Sequence, residues 1–527
     1  MSSKRWGVNS MKKGIIAYTK INTFVMMQIL VNYKKVRSLL GVRFVSLHAY
    51  VEVDDKKGFL KYNRWRFSKK ARGLIVFAII VVLLVSIFAW LSTGTQSKPD
   101  VFQIISNGTI ATPSPTDQQT ATPAQTQTPS ELTDMGNWIN QVVTDIFVAP
   151  PRPPGLIESN PSANSTMWTQ VAANAWRYFE PDIGVDPNTG LPRAGGTDSP
   201  NFTDWDLGIY IQAIIDAQKI GLIGTDGVWN SSARLETVVS FLENRELNSY
   251  GYPYWFYQAS DGKSYRANSD FATTPVDGAD TGRLFVALNN LKAYNSSLAL
   301  RVNNIVYNRS NYAALIPNLK IECLTSTNIY AYYIASGFAS FWPNELSNAT
   351  NSILNNIRLA NNVTTPEGVS LPLATILGDP LLSSVFELNN NNPQLMAITR
   401  QVYLAHEAYY NTTGIYRAFS EGGTLSDHWA YEWVVIDDGR TWAILDEKNS
   451  NYNISPIIYT KIAISFLAIY NTTYTRDMVI YLERTLPDPS RGYCEGVDES
   501  GAQLTGVGIH SNGLIIGAAK YAIQNNP

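Results

Sequence analysis

Thr203-Asp204-Trp205-Asp206-Leu207-Gly208-Ile209-Tyr210-Ile211-Gln212-Ala213-Ile214-Ile215-Asp216-Ala217-Gln218-Lys219-Ile220-Gly221-Leu222-Ile223 is the stretch from which the rest of the chain is read. Thr203 and Asp206 have the spacing of a helix N-cap and its third helical residue. Beyond them apolar side chains cover most of the helix circumference, so both flanks must be buried and other helices must wrap this one. The same grammar returns at Asp277-Gly278-Ala279-Asp280-Thr281-Gly282-Arg283 before Leu284–Leu288, and at Ser511-Asn512-Gly513 before Leu514–Ala519. Polar or acidic groups recur where apolar helices begin, which suggests a ring of helix starts facing one shared cavity.

Further along, amphipathic helices alternate with strongly apolar ones. Met167–Phe179, Ser231–Leu242, Leu298–Val306 and Thr473–Leu486 are one-faced; Asp206–Ile220, Thr281–Tyr294, Ile329–Phe341 and Pro456–Tyr470 are apolar nearly all round. Gln394–Tyr410 and Gly513–Ile523 are also expected as helices. One-faced helices suit an outer layer and all-round apolar helices an inner one, so the pattern predicts helical hairpins closed into a ring. Trp429–Trp442 and Gly492–Thr505 are expected as short strands or hairpin excursions.

The chain has 527 residues, 45% of them hydrophobic, which is globular composition and long enough for one large domain with appendages or for two domains. Its net charge of −2 conceals a strong asymmetry: residues 1–72 carry about +14 and the remainder about −16. Between them lies Gly73–Leu91, uncharged and long enough to cross a bilayer as a helix. Arg64, Arg66, Lys69, Lys70 and Arg72 crowd its N-terminal side, so the positive-inside rule places the N-terminus in the cytoplasm and the later residues outside. The apolar run exceeds the usual signal-peptide core and no small-residue cleavage site follows, which favours an uncleaved anchor. The basic head beside a membrane span is topogenic, and no nucleic-acid partner is expected. Ala111–Ser130, rich in Thr-Pro, reads as an extended stalk. The expected divisions are therefore a basic cytoplasmic region 1–72, a transmembrane helix 73–91, a stalk 92–154 and a main domain 155–527. Eleven N-glycosylation sequons run from Asn107 to Asn471, all beyond the apolar span.

From Asn164 onward the chain resembles the family called domain of unknown function three-one-three-one, placed among the six-hairpin, glucoamylase-like toroids. The resemblance rests on Thr203-x-Trp205-Asp206-x-Gly208-x-Tyr210-x-x-Ala213 with Gly221-Leu222-Ile223; Gly278-Ala279-Asp280-x-Gly282-Arg283-Leu284; Ala335-Ser336-Gly337-Phe338; Tyr416-x-Ala418-x-Ser420-Glu421; Asp438-Gly439-x-x-Trp442; Gly492-Tyr493-x-Glu495-Gly496; and Asn512-Gly513-x-Ile515, in the family order. The family often carries acidic residues shortly before its Ala-x-Gly-Phe segment, where this chain has Ala331 and Tyr332. The resemblance implies an all-α fold, an (α/α)6 toroid of helical hairpins with short β excursions, and a connection to carbohydrate.

Glycoside cleavage needs one protonated carboxyl to assist the leaving oxygen and one ionised carboxylate to attack carbon or activate water. The candidates are Glu421, Asp280, Asp206 and Glu495. Trp205, Phe419 with Tyr431, and Tyr493 stand near three of them in sequence and could stack on sugar rings, and apolar rings can raise a neighbouring carboxyl toward an acid role. Arg283 could orient a carboxylate or hold an anionic sugar; Trp205, Arg283, Tyr431, Tyr493 and Asn512 form the expected substrate-binding set. The structural alternatives are that Asp206 and Asp280 merely cap helices, that Arg283 pairs with Asp280, and that Glu495 closes a turn. Polysaccharide or glycan is the expected partner, and a binding module without a working carboxyl pair is the alternative to a hydrolase. Scattered histidines without an HExxH pattern argue against a zinc enzyme, and no phosphate-cradling glycine loop or dinucleotide fingerprint is present, so no metal or cofactor is expected. Cys323 and Cys494 could pair outside the cell, although sequence cannot show that they meet.

Overall fold

The computed structural model describes residues 153–196, 199–265, 278–388, 392–425 and 428–525. All lie in one compact unit, Thr126–Pro527. The basic head, the apolar span 73–91 and most of the stalk fall outside the described residues; among the described residues no helix is long and apolar enough to cross a membrane.

After a single helical turn at Leu156–Ser159, thirteen longer α-helices organise the described residues: α1 Ser165–Trp176, α2 Asp204–Lys219, α3 Ser231–Asn244, α4 Gly278–Tyr294, α5 Ala299–Asn304, α6 Ile316–Thr325, α7 Ile329–Ala339, α8 Ala349–Leu359, α9 Gly378–Glu387, α10 Pro393–Thr413, α11 Thr460–Tyr470, α12 Thr473–Thr485 and α13 Ile509–Asn525. Helices α2, α4, α7, α9, α11 and α13 touch in that order, and α13 returns to α2, closing a ring. The remaining longer helices back it, so the chain steps alternately from outside to inside.

Sequence dictates which helix goes where. In α2 every residue from Asp204 to Ala217 is buried, and in α11 every residue from Thr460 to Ala468. Helix α12 buries only a stripe, Tyr474, Thr475, Met478, Val479 and Leu482, and leaves its charged face to water. Close packing of the inner ring depends on missing side chains. Gly208 lies against the backbone of Arg283, where a Cβ would come within 3.1 Å. A Cβ on Gly282 would meet the Ile334 Cα at 2.7 Å, and Gly337 faces the Gly282 carbonyl from the other side.

Three helices were not expected from the sequence: α6, α8 and α9. Helix α9 opens with Gly378-Asp379-Pro380, a triplet that reads as a turn but also suits a first helical turn, where proline lacks nothing the helix needs. Helix α13 begins at Ile509 rather than at Gly513, which brings His510 into its first turn. The expected Pro456–Tyr470 helix divides into a strand and α11.

Four small antiparallel sheets decorate the helices, two of them the pairs β1 Asn201–Phe202 with β2 Tyr257–Gln258 and β3 Asn362–Thr364 with β4 Ser370–Pro372. The two that matter here are β5 Glu421–Gly423, β6 Trp429–Val435 and β7 Thr441–Leu445, in that order, and β8 Ile457–Tyr459, β9 Cys494–Asp498 and β10 Gln503–Val507, with β9 central. Bridges Ile376–Val435 and Ala418–Ile458 tie these sheets to the chain entering α9 and α11. His406 on α10 fixes the approach to β5: its Nδ1 faces the Val402 carbonyl at 2.8 Å and its Nε2 accepts the Phe419 amide at 3.1 Å. Cys323 and Cys494 are both buried, free thiols, so the disulfide left open by the sequence is not formed.

Candidate active site

Consecutive inner helices start with Trp205, Tyr330, Asp379, Lys461 and His510 each at the second helical position. Repetition of one hairpin geometry around the ring brings these side chains together. The capping box read from the sequence is present in α2: Thr203 Oγ1 accepts from the Trp205 and Asp206 amides, while Asp206 Oδ2 accepts the Thr203 amide at 2.8 Å. Asp206 Oδ1 is left for His510, whose Nε2 stands 3.1 Å away. The His510 ring lies over Trp205 at 6.3 Å and meets Trp429 edge-on at 5.2 Å.

One oxygen of Asp379, one oxygen of Glu421 and one ring nitrogen of His510 all lie within 4.8 Å of one another. Glu421 comes from β5, opposite Tyr431 in the β5–β6 register, and its Oε2 accepts the Trp429 indole at 3.3 Å. The Tyr330 hydroxyl approaches it without forming a well-directed hydrogen bond, yet close enough to favour its ionised form. Asp379 is held differently. Lys461 Nζ is 2.5 Å from its Oδ2, the Ser383 hydroxyl donates to Oδ1 at 3.3 Å, and Arg283 Nη1 stands at 3.9 Å.

These surroundings push the two carboxyls apart in proton affinity. Burial, then the Asp379 charge, raises the Glu421 pKa above its ordinary value, against weaker opposition from Lys461. Burial also acts against ionised Asp379, but the Lys461 and Arg283 charges outweigh it and hold that carboxyl below its ordinary value. Of the two, Glu421 therefore holds its proton more tightly than Asp379. Three potential ligands at this spacing could be imagined around a divalent metal. Lys461 and Arg283 already supply the positive charge that such an ion would bring, so the donor set suits a proton-transfer site better than a metal.

The sequence candidates are distributed unevenly around this centre. Glu421, Asp206, Trp205 and Tyr431 are at it. Asp280, in the first turn of α4, accepts the Trp255 indole at 3.1 Å and does not join the cluster. Arg283 pairs with neither Asp280 nor solvent; it is buried, with Nη2 2.7 Å from Glu387 and its guanidinium 4.8 Å over Trp205. Its charge is therefore engaged by the protein. Glu495 accepts the Ser511 hydroxyl at 2.7 Å and ties β9 to α13. Asn512 accepts the Tyr493 amide at 2.8 Å and donates to the Tyr493 and Gly508 carbonyls, so it anchors Tyr493 through the backbone.

Asp379, Lys461 and His510 were missed. Lys461 was visible as the one charge inside an apolar helix, Thr460–Tyr470, and a buried lysine requires a carboxylate partner. Asp379 had the Gly-Asp-Pro start followed by apolar Leu381, Leu382, Val385 and Phe386. His510 lacked a signal because the helix was expected to begin after it.

A closed ring of six helical hairpins with its acidic and aromatic groups at the inner helix starts defines the class, a helical toroid of the glucoamylase type. The model of the family described as "Protein of unknown function (DUF3131)" matches residues 170–525, and the chain belongs to that family. Among solved structures, a candidate glucoamylase from Bacteroides caccae is 15% identical with a TM-score of 0.50, over 68% of this chain and 95% of that one. An endo-β-1,2-glucanase from Chitinophaga pinensis, in complex with sophorotriose and glucose, is 13% identical with a TM-score of 0.50, over 68% and 94%. At such identities the likeness is one of fold. No curated protein matches the sequence.

Proposed function

We propose that this protein is a glycoside hydrolase in which Glu421 is the proton donor and Asp379 the nucleophile. The observation that carries the reading is the Glu421–Asp379 pair itself, two buried carboxyls with one oxygen of each within 4.8 Å of the other and with pKa values shifted in opposite directions. Separations of roughly 5–5.5 Å go with retention, whereas inversion needs roughly 6.5–9.5 Å to admit a water. The close pair supports retention. In the first step the Glu421 proton passes to the leaving oxygen as the anomeric carbon bonds to Asp379; in the second, water displaces Asp379 and returns a proton to Glu421. The glucan complex of the Chitinophaga neighbour makes a neutral glucan the first substrate to try. Anchoring by residues 73–91, with the toroid on the outer side of the membrane, is part of the proposal and rests on the charge asymmetry about that span.

The test is release of reducing ends by the full chain, in detergent, from a panel that includes β-1,2-glucan and starch, with product anomers followed by NMR. Glu421-dependent release with the anomer retained supports the reading, and release with inversion removes Asp379 as nucleophile. Asp379 is already tied to two cations, the arrangement expected of a non-catalytic glycan-binding toroid. Binding of a panel glycan without any release would establish that second reading.

A further inference from the structure

The hydrolase reading uses Glu421 and Asp379 but leaves the third member of their cluster without a task. His510 is held on one side only. Its Nε2 meets Asp206 Oδ1, whereas Nδ1 is buried and has no hydrogen-bond partner. The Trp205 indole nitrogen, beside the same ring, is likewise buried and unpartnered. Asp206 cannot turn to relieve this, since its other oxygen is committed to the Thr203 amide at the α2 capping box. An ionised carboxylate accepts only, so Nε2 carries the proton, and in the neutral ring that leaves Nδ1 with a lone pair.

Resting on the hydrolase reading, we propose that Asp206 and His510 form a dyad whose function is to present Nδ1 as a hydrogen-bond acceptor for a ring hydroxyl of a neutral sugar bound beside Glu421 and Asp379. Asp206 is then a positioning residue and His510 the residue that touches substrate. The charges around the ring select the class of sugar. Asp206 from α2 and Asp379 from α9 face it, with Glu421 from β5 and with Lys461 from α11 behind Asp379. Lys461 and Arg283 are both engaged by carboxylates, leaving neither available to an anionic sugar. An acceptor-rich cluster beside the Trp205 and Trp429 rings suits a donor-rich, uncharged ring with an apolar face.

The capping box makes the test sharp. In Asp206→Asn the amide oxygen must still accept from Thr203, so the amide NH2 is turned toward Nε2 and drives the proton to Nδ1. With only four histidines in the chain, the full-length protein labelled with nitrogen-15 histidine reports the tautomer directly by NMR, with His510→Asn giving the assignment. The expected result is a bare Nδ1 in the wild type and a protonated Nδ1 in Asp206→Asn. With sophorotriose as probe, the wild-type His510 signal shifts. His510→Gln, which keeps the Asp206 contact but removes the acceptor, weakens binding about tenfold, one hydrogen bond's worth. His510→Asn, which keeps an acceptor at the Nδ1 position, stays within about threefold. A protonated Nδ1 in the wild type, equal weakening by the Asn and Gln variants, or no His510 response to sophorotriose overturns the dyad. If the tautomer and binding behave as stated but nothing is hydrolysed, only the hydrolase reading fails. If Glu421-dependent hydrolysis occurs with a protonated Nδ1, only the dyad fails.

Discussion

The two ends of α9 carry buried carboxyls in opposite condition. Asp379 in its first turn is held below the ordinary carboxylate range, because Lys461 and Arg283 outweigh the burial that disfavours its charge. Glu387 in the last turn is raised by burial, although Arg283 and the Tyr333 hydroxyl both act on it in the other sense. Arg283 touches both ends, so one guanidinium links two different environments. Around Glu387 the polar groups largely satisfy one another: Asn290 donates to the Gln212 side chain and the Glu387 carbonyl, Gln212 donates to Asp216, and Lys520 donates to Asp216 and the Phe386 carbonyl. At the start of α9 the buried atoms without a partner are His510 Nδ1 and the Trp205 indole nitrogen, and beside Glu387 they are Asp216 Oδ2 and Arg283 Nε. Both networks rigidify the core, and what sets the start of α9 apart is that a second carboxyl, Glu421, and a histidine, His510, face Asp379.

That contrast breaks first at its strongest point. Glu421→Gln is expected to lower kcat by about 10³–10⁴ while stability changes little, because among the described residues Glu421 forms no ion pair for the amide to break. Reducing-end assays alongside thermal unfolding check it, and a comparable loss of stability would make Glu421 structural. In the wild type the activity should fall on the alkaline side as Glu421 deprotonates, above its ordinary value, and on the acid side as Asp379 takes a proton, below its own.

The matched change in the ring interior should do the reverse. Glu387→Gln removes the carboxylate nearest Arg283 and should cost about 3–5 kcal/mol in denaturant unfolding, as for other broken buried pairs. A stable Glu387→Gln protein would mean that Asp379 alone suffices for Arg283.

His406, behind β5, tests the support rather than the site. Burial pushes its pKa from the ordinary 6.5 down to about 4. The unfolded chain therefore binds the proton more readily, and stability should fall as pH drops from about 6.5 to about 4, by about 3 kcal/mol in all from this group. Comparing the pH dependence of unfolding with that of a His406→Gln variant isolates the contribution; identical slopes would show that His406 does not titrate with folding.

The smallest effect is expected from backbone spacing. Gly282→Ala pushes a methyl against the Ile334 backbone and should cost about 1–3 kcal/mol, with α4 and α7 forced apart. Melting temperature reads the loss, and an unchanged value would mean that the ring can open there without strain.

Much of the fold was legible because periodicity is local. The capping box at Thr203 and Asp206, the all-round apolar inner helices and the strands at 429–435 and 494–498 follow from spacing alone. The collinear motifs supplied the closure of the ring that no single helix could indicate. The unexpected helix α9 was hidden by Gly-Asp-Pro, a triplet equally at home in a turn, and Asp379 was hidden with it.

The site divides along the same line. Sequence by itself determined that acidic and aromatic residues open the inner helices, that Glu421 lies outside any helical period, and that Lys461 interrupts an apolar run. Only the tertiary structure decided which of them meet. Asp379, Glu421 and His510 are separated by 42 and 89 positions along the chain, and no local rule couples them. Ring closure brings α13 back to α2 and sets α9 beside α11, and only then does one carboxyl acquire two cations while the other faces burial and a neighbouring negative charge. Proton affinity is a property of those neighbours rather than of the residue type, which is why Glu421 was visible in the sequence as a candidate and its opposed partner Asp379 was not.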